Sequence, residues 1–116
     1  MSDLSVDQVE LKVRAGNSFS EGFNLLKRSI VAVLIPVGWD GGDITIESSF
    51  ASPTDDWKVV TDSDGTAIGL STVVADTVIT MAGNELQALM QLKRIRFRGA
   101  STVAADKTLT LLLKEE

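Results

Sequence analysis

Lys93-Arg94-Ile95-Arg96-Phe97-Arg98 and Lys107-Thr108-Leu109-Thr110-Leu111-Leu112-Leu113 are the two stretches on which the fold turns. In the first, Ile95 and Phe97 alternate with Arg94, Arg96 and Arg98, the period of two expected of a strand with one buried and one wet face. In the second the odd positions are leucine, and the small-residue segment Gly99 to Asp106 between them reads as a loop. Working back along the chain, Val9, Leu11 and Val13 alternate with Glu10, Lys12 and Arg14. Ser29 to Ile35 is β-branched and apolar on both faces, which suits a strand in the middle of a sheet, and Pro36 marks its end. Asp43 to Glu47 places Ile44 and Ile46 on one side. Trp57 to Thr61 and Thr66 to Leu70 read as a hairpin about the turn Asp62-Ser63-Asp64-Gly65, and Ser71 to Met81 is β-prone. Phe19 to Arg28 is read as an irregular crossing, because Gly22 interrupts its helical stripe. Asn84 caps a segment with Gln87 three places on, so Glu85 to Gln91 is expected to form two helical turns. The predicted fold is all-β: a single antiparallel β-sandwich or jelly-roll-like domain over residues 9–116, with at most one short helix, after an N-terminal arm over residues 1–8.

Length and charge narrow the function classes. A chain of 116 residues suits one domain. Eleven Lys plus Arg against sixteen Asp plus Glu leave a net charge of −5, which disfavours nonspecific attraction to nucleic acid or anionic lipid and makes proteins the expected partners. Cys and His are both absent, removing disulfides, thiolate metal sites and the commonest general base. The opening Met1-Ser2-Asp3-Leu4-Ser5 lacks the basic and apolar regions of a signal peptide, and the longest apolar run, Ile30 to Val37, is far short of the roughly 20 residues of a membrane helix. Neither membrane nor nucleic acid is therefore an expected partner, and the chain is expected to stay in the compartment where it is made.

Few residues suggest chemistry. Asp55, Asp56, Asp62 and Asp64 cluster in acidic turns, but aligning Asp62, Asp64 and Gly65 to a calcium loop puts Val60 and Ser71 where acids are needed, so a solvated turn is expected and no metal. No nucleophile motif, phosphate loop or dinucleotide loop is present, so neither enzyme activity nor a cofactor is expected. Arg94, Arg96 and Arg98 form a basic stripe that can grip phosphate or an acidic protein surface, or pair with neighbouring acids. Trp39 and Trp57, each beside a loop, are candidates either for a sugar-stacking platform or for closing the ends of the core.

Five segments together carry a family resemblance. Ile35-Pro36-Val37-Gly38-Trp39, Asp43-Ile44-Thr45-Ile46, Asp62-Ser63-Asp64-Gly65, Ile95-Arg96-Phe97-Arg98-Gly99-Ala100-Ser101 and Ala104-Ala105-Asp106-Lys107-Thr108-Leu109-Thr110-Leu111 resemble a small family of phage and prophage proteins. The similarity runs over about residues 30 to 114, and it implies a single β-sandwich domain encoded among tailed-phage structural genes. The function then expected is that of a virion component, foremost a capsid decoration or cement protein on the outer surface of the head, bound to the major capsid protein or another virion protein as a dimer or trimer. Its expected contacts are Arg94, Arg96, Arg98 and the arm residues Met1, Ser2, Asp3 and Leu4. The alternative is a receptor- or glycan-binding module of a tail or head fibre, with Trp39 and Trp57 as the platform.

Overall fold

A computed structural model describes residues 6–25, 28–49, 57–61, 63–70, 73–80 and 94–115. Among them lie nine strands and no helix: β1 (Val6–Val13), β2 (Phe23–Asn24), β3 (Arg28–Ile35), β4 (Ile44–Ser49), β5 (Trp57–Val59), β6 (Gly69–Leu70), β7 (Thr77–Thr80), β8 (Arg94–Gly99) and β9 (Lys107–Glu115). They form two antiparallel sheets, one in the order β1-β9-β3-β7 and the other in the order β2-β8-β4-β5, with β6 also bordering β4. The two stretches read first from the sequence thus become β8 and β9, and each is flanked by a strand on both sides.

The core lies between the sheets and is built from the alternating positions. Leu11 and Val13 of β1, Leu109, Leu111 and Leu113 of β9, Ile44 and Ile46 of β4, and Ile95 and Phe97 of β8 are all buried. In β3 the buried Ile30 and Val33 are three residues apart, which a regular strand would send to opposite faces. A register shift between Ile30 and Ala32 inserts one residue, so that Ile30 opposes Leu113 and Val33 opposes Leu111, both facing inward. Pro36 ends β3 as expected, having no N–H for a ladder.

Several boundaries differ from the sequence expectation for identifiable reasons. Antiparallel pairing begins at Val6, opposite Lys114, and takes in Asp7 and Gln8, so three residues assigned to the arm belong to β1. Asp7 also accepts an ion-paired hydrogen bond from Arg28 at 3.1 Å. The expected hairpin is present, with Thr61 bridged to Ala67 and the Ile68 N–H donating to the Val60 carbonyl, but both of its arms pack along β4. Among the described residues of Ser71 to Met81, Thr77–Thr80 is strand, and it is entered through Asp76 in the left-handed region at φ 60°, its N–H donating to the Pro36 carbonyl. Among the described residues of Phe19 to Arg28, Phe19 and Ser20 form isolated bridges, Phe23–Asn24 is the short β2, Arg28 opens β3, and Glu21, Gly22 and Leu25 are irregular. The expected helix Glu85 to Gln91, the arm residues Met1, Ser2, Asp3 and Leu4, and Asp55, Asp56 and Asp62 lie outside the described residues.

Candidate functional site on the outer face of the β8–β4 sheet

Strand register decides which side chains meet on the outer face of the second sheet. Thr45 opposes Arg98 and Glu47 opposes Arg96 across β4 and β8, while Glu47 opposes Val59 and Ser49 opposes Trp57 across β4 and β5. On the other side of β8, Phe19 is bridged to Arg98 and Asn24 opposes Arg94. The outward positions therefore gather Phe19, the three arginines, Thr45, Glu47, Trp57 and Val59.

The arginines point outward as their alternation predicts, but they are not equivalent. Glu47 is central: its side chain is only 4% exposed, Oε1 accepts from Arg96 Nε at 2.6 Å, and Oε2 accepts from Arg98 Nη1 at 3.3 Å. Taking a carboxylate out of water is expensive unless it is paired and hydrogen-bonded, and here both oxygens are engaged. Arg96 is itself 14% exposed, its guanidinium 4.3 Å from the centre of the Phe19 ring and 4.6 Å from that of Trp57. Arg94 also faces Trp57, at 5.8 Å. The indole reaches across the sheet: a Cβ on Gly22 would lie 2.6 Å from Trp57 Cη2, so only glycine leaves the ring room to lie there. Phe19 and Trp57 thus clasp Arg96, gaining cation–π attraction while shielding the pair beneath.

Of the two readings of the basic stripe, pairing with a neighbouring acid is the one that Arg96 and Arg98 follow. Arg96 is consumed within the domain, and Arg98 is the arginine that keeps a substantially exposed side chain, at 48%. Trp57 is half-buried against arginines. Trp39 is buried, and its Nε1–H donates to the Gly42 carbonyl at 3.0 Å, so it closes the end of the core and presents no ring face to a sugar. Of the two readings of the tryptophans, Trp39 follows core closure, and it does not join Trp57 in a sugar platform.

Beside the clasp, a groove of about 350 Å³ opens over Thr45, lined by Asp43, Thr45, Glu47, Val59, Arg98, Gly99 and Ala100. It is open because Thr45 at its floor is small, while Arg98 is drawn toward Glu47. Asp43 is held at its mouth: its Oδ1 accepts from the Val73 N–H at 3.2 Å and its carbonyl accepts from the Ala100 N–H at 2.9 Å. No cluster of three or more potential metal ligands occurs among the described residues.

Comparison with protein-family models, curated proteins and solved structures found no match.

Asp43, Thr45, Glu47 and Val59 had no signal of their own in the sequence. Their shared face is set by pairing across strands up to 53 residues apart in the chain, as between Thr45 and Arg98. The one usable hint is that Arg96 and Arg98 need an acid at matching register, and Glu47 occupies an outward position of the neighbouring alternating segment.

Proposed function

We propose that this chain is a virion structural protein of a tailed phage, a non-catalytic domain that decorates the outer surface of the head by docking on the major capsid protein. The observation that carries this reading is the outer face of the β1-β9-β3-β7 sheet. Its register places Glu10, Thr110, Leu34 and Val78 in one row and Gln8, Leu112, Ala32 and Thr80 in the next. Leu34 and Leu112 are half-buried and Val78 is 59% exposed, on a face where an antiparallel sandwich ordinarily carries polar residues. Val37 and Val74, in the segments flanking this end of the sheet, are exposed as well. Apolar surface of this kind favours docking on another protein, and a repetitive shell multiplies modest contacts through effective concentration.

Topology supports the same reading by analogy. The rungs β1·β9, β2·β8, β3·β7 and β4·β5 nest as in one long hairpin, which is rolled so that β9 also meets β3 and β8 also meets β4. We read this as a jelly roll, an architecture used by viral capsid and lectin domains. The test is co-sedimentation of the purified protein with undecorated heads. Saturable binding that Val78→Glu weakens at least about tenfold is expected from placing a charge in an apolar contact. Binding at full occupancy by the variant would overturn the proposed face, and absence of binding to heads would overturn decoration.

A second reading, a glycan- or receptor-binding module, is favoured by the groove over Thr45, where hydrogen-bond donors and acceptors converge in a concave site.

A further inference from the structure

We infer that the groove between Asp43, Val59 and Arg98 is a binding site for one or two rings of a neutral sugar. This inference rests on the glycan-binding reading and gives it a place and a ligand class.

The argument starts from what the lining offers. The Arg98 guanidinium is anchored through Nη1 to the Glu47 carboxylate, and its other N–H groups have no partner among the described residues. Such an arginine is an oriented donor fork whose ordering cost is met within the domain. Across the groove, Asp43 spends Oδ1 on the Val73 N–H, leaving Oδ2 as an acceptor without a partner among the described residues. Thr45, at the floor, donates its hydroxyl hydrogen to the Arg98 carbonyl at 3.4 Å and keeps its lone pairs. Val59, 47% exposed, and the Ala100 methyl supply apolar contact. Donor, acceptor and apolar wall within one small concavity match a pyranose ring, whose hydroxyls both donate and accept and whose C–H face is apolar.

Charge excludes the nearest competitors. Glu47 is neutralised by Arg96, so Asp43 stands against Arg98 and the lining carries no net positive charge to hold a phosphate or carboxylate ligand. A hard cation needs several converging oxygens, and both Glu47 oxygens are already committed to arginines. The volume, about 350 Å³, lies near the lower end of ligand-pocket sizes and suits one or two rings. The site is also distinct from the aromatic clasp, since Arg96 occupies the space between Phe19 and Trp57.

The test is a ¹⁵N NMR titration of the intact chain with glucose, galactose, mannose and N-acetylglucosamine, each to about 50 mM because a single-ring contact binds in the millimolar range, and with inorganic phosphate alongside. Saturable shifts of the Thr45, Val59, Arg98 and Ala100 amides with at least one sugar, weakened at least about tenfold by Arg98→Ala, are expected. Should Arg98→Ala fold poorly, Val59→Lys on the exposed edge fills the groove and must give the same loss. Sugar shifts confined to the Trp57 indole and its neighbours would overturn this site while leaving the glycan-binding reading standing. No shift with any sugar would overturn both, and a response to phosphate alone would overturn the ligand class.

Discussion

Breaking the Glu47–Arg96 pair is the most exacting test of how this sandwich is held together. In Glu47→Ala, Arg96 keeps its place between Phe19 and Trp57 but loses its 2.6 Å partner, leaving a guanidinium 14% exposed without its countercharge. Uncoupling a buried pair in this way costs about 3–5 kcal/mol, a large share of the roughly 5–15 kcal/mol that stabilises a domain. Arg96→Ala should cost as much, since it leaves the buried carboxylate held by Arg98 alone, at 3.3 Å, and removes two ring contacts worth about 0.5–2 kcal/mol each. Removing both charges leaves no orphan, so the double variant should be far less destabilised than the sum, with a coupling of at least about 2 kcal/mol. Asp7–Arg28 is the internal control: it is a 3.1 Å pair with the carboxylate side chain 45% exposed, for which about 0–1 kcal/mol is expected. Urea unfolding of both cycles at neutral pH measures the four corners of each, with unchanged m-values as the check that the same surface unfolds. Raising salt to about 1 M shortens the screening length to about 3 Å and should erase the Asp7–Arg28 coupling while sparing Glu47–Arg96. Equal couplings in the two cycles would refute the claim that burial under the aromatic rings sets the energetics of this face.

Three further outcomes follow from particular contacts. Gly22→Ala places a methyl 2.6 Å from Trp57 Cη2 and should cost about 1–3 kcal/mol by overpacking, with a red shift of tryptophan fluorescence as the ring is displaced. Asp76→Gly relieves the left-handed backbone at φ 60° and should hold or raise the melting temperature, whereas Asp76→Val should lose about 1–2 kcal/mol in thermal unfolding. Val78→Glu, at an exposed position of β7, should leave unfolding free energy within about 0.5 kcal/mol of the parent, so that any loss of binding to heads reports on contact and not on folding.

The sandwich was legible where burial follows a period of two. Ile95 with Phe97, Leu109 with Leu111 and Leu113, and Ile44 with Ile46 all lie on the buried faces their alternation indicates, because each strand has one face against the core. It was illegible where both faces are apolar. Ser29 to Ile35 reads as a strand, yet no local pattern reveals the inserted residue that brings Ile30 and Val33 to the same side. The beginning of β1 is also illegible locally, because Val6-Asp7-Gln8 looks like a polar lead-in until the partner Lys114-Leu113-Leu112 is known. The aromatic clasp was invisible for the same reason: Phe19, Trp57 and Arg96 come from three distant segments and share a face only through register.

Arg94, Arg96 and Arg98 stand about 7 Å apart on one face of a strand, a spacing at which like charges repel unless the next strand answers them. At Arg96 the answer is Glu47. At Arg98 the residue directly opposite is Thr45, which brings a hydroxyl where its neighbour brings a carboxylate, so Arg98 leans toward Glu47 at 3.3 Å and keeps half its surface. The open groove and the unused donors of Arg98 are therefore two consequences of a small residue at position 45. Thr45→Glu tests this directly: a second carboxylate beside Arg98 should pair with it and occupy the groove floor. Because position 45 points away from the core, the change in unfolding free energy should stay within about 1 kcal/mol of the parent, as for a partly exposed pair. The sugar-induced amide shifts, in contrast, should disappear. A folded Thr45→Glu protein that still responds to sugar as the parent does would show that neither the groove nor the free face of Arg98 is where the ligand sits.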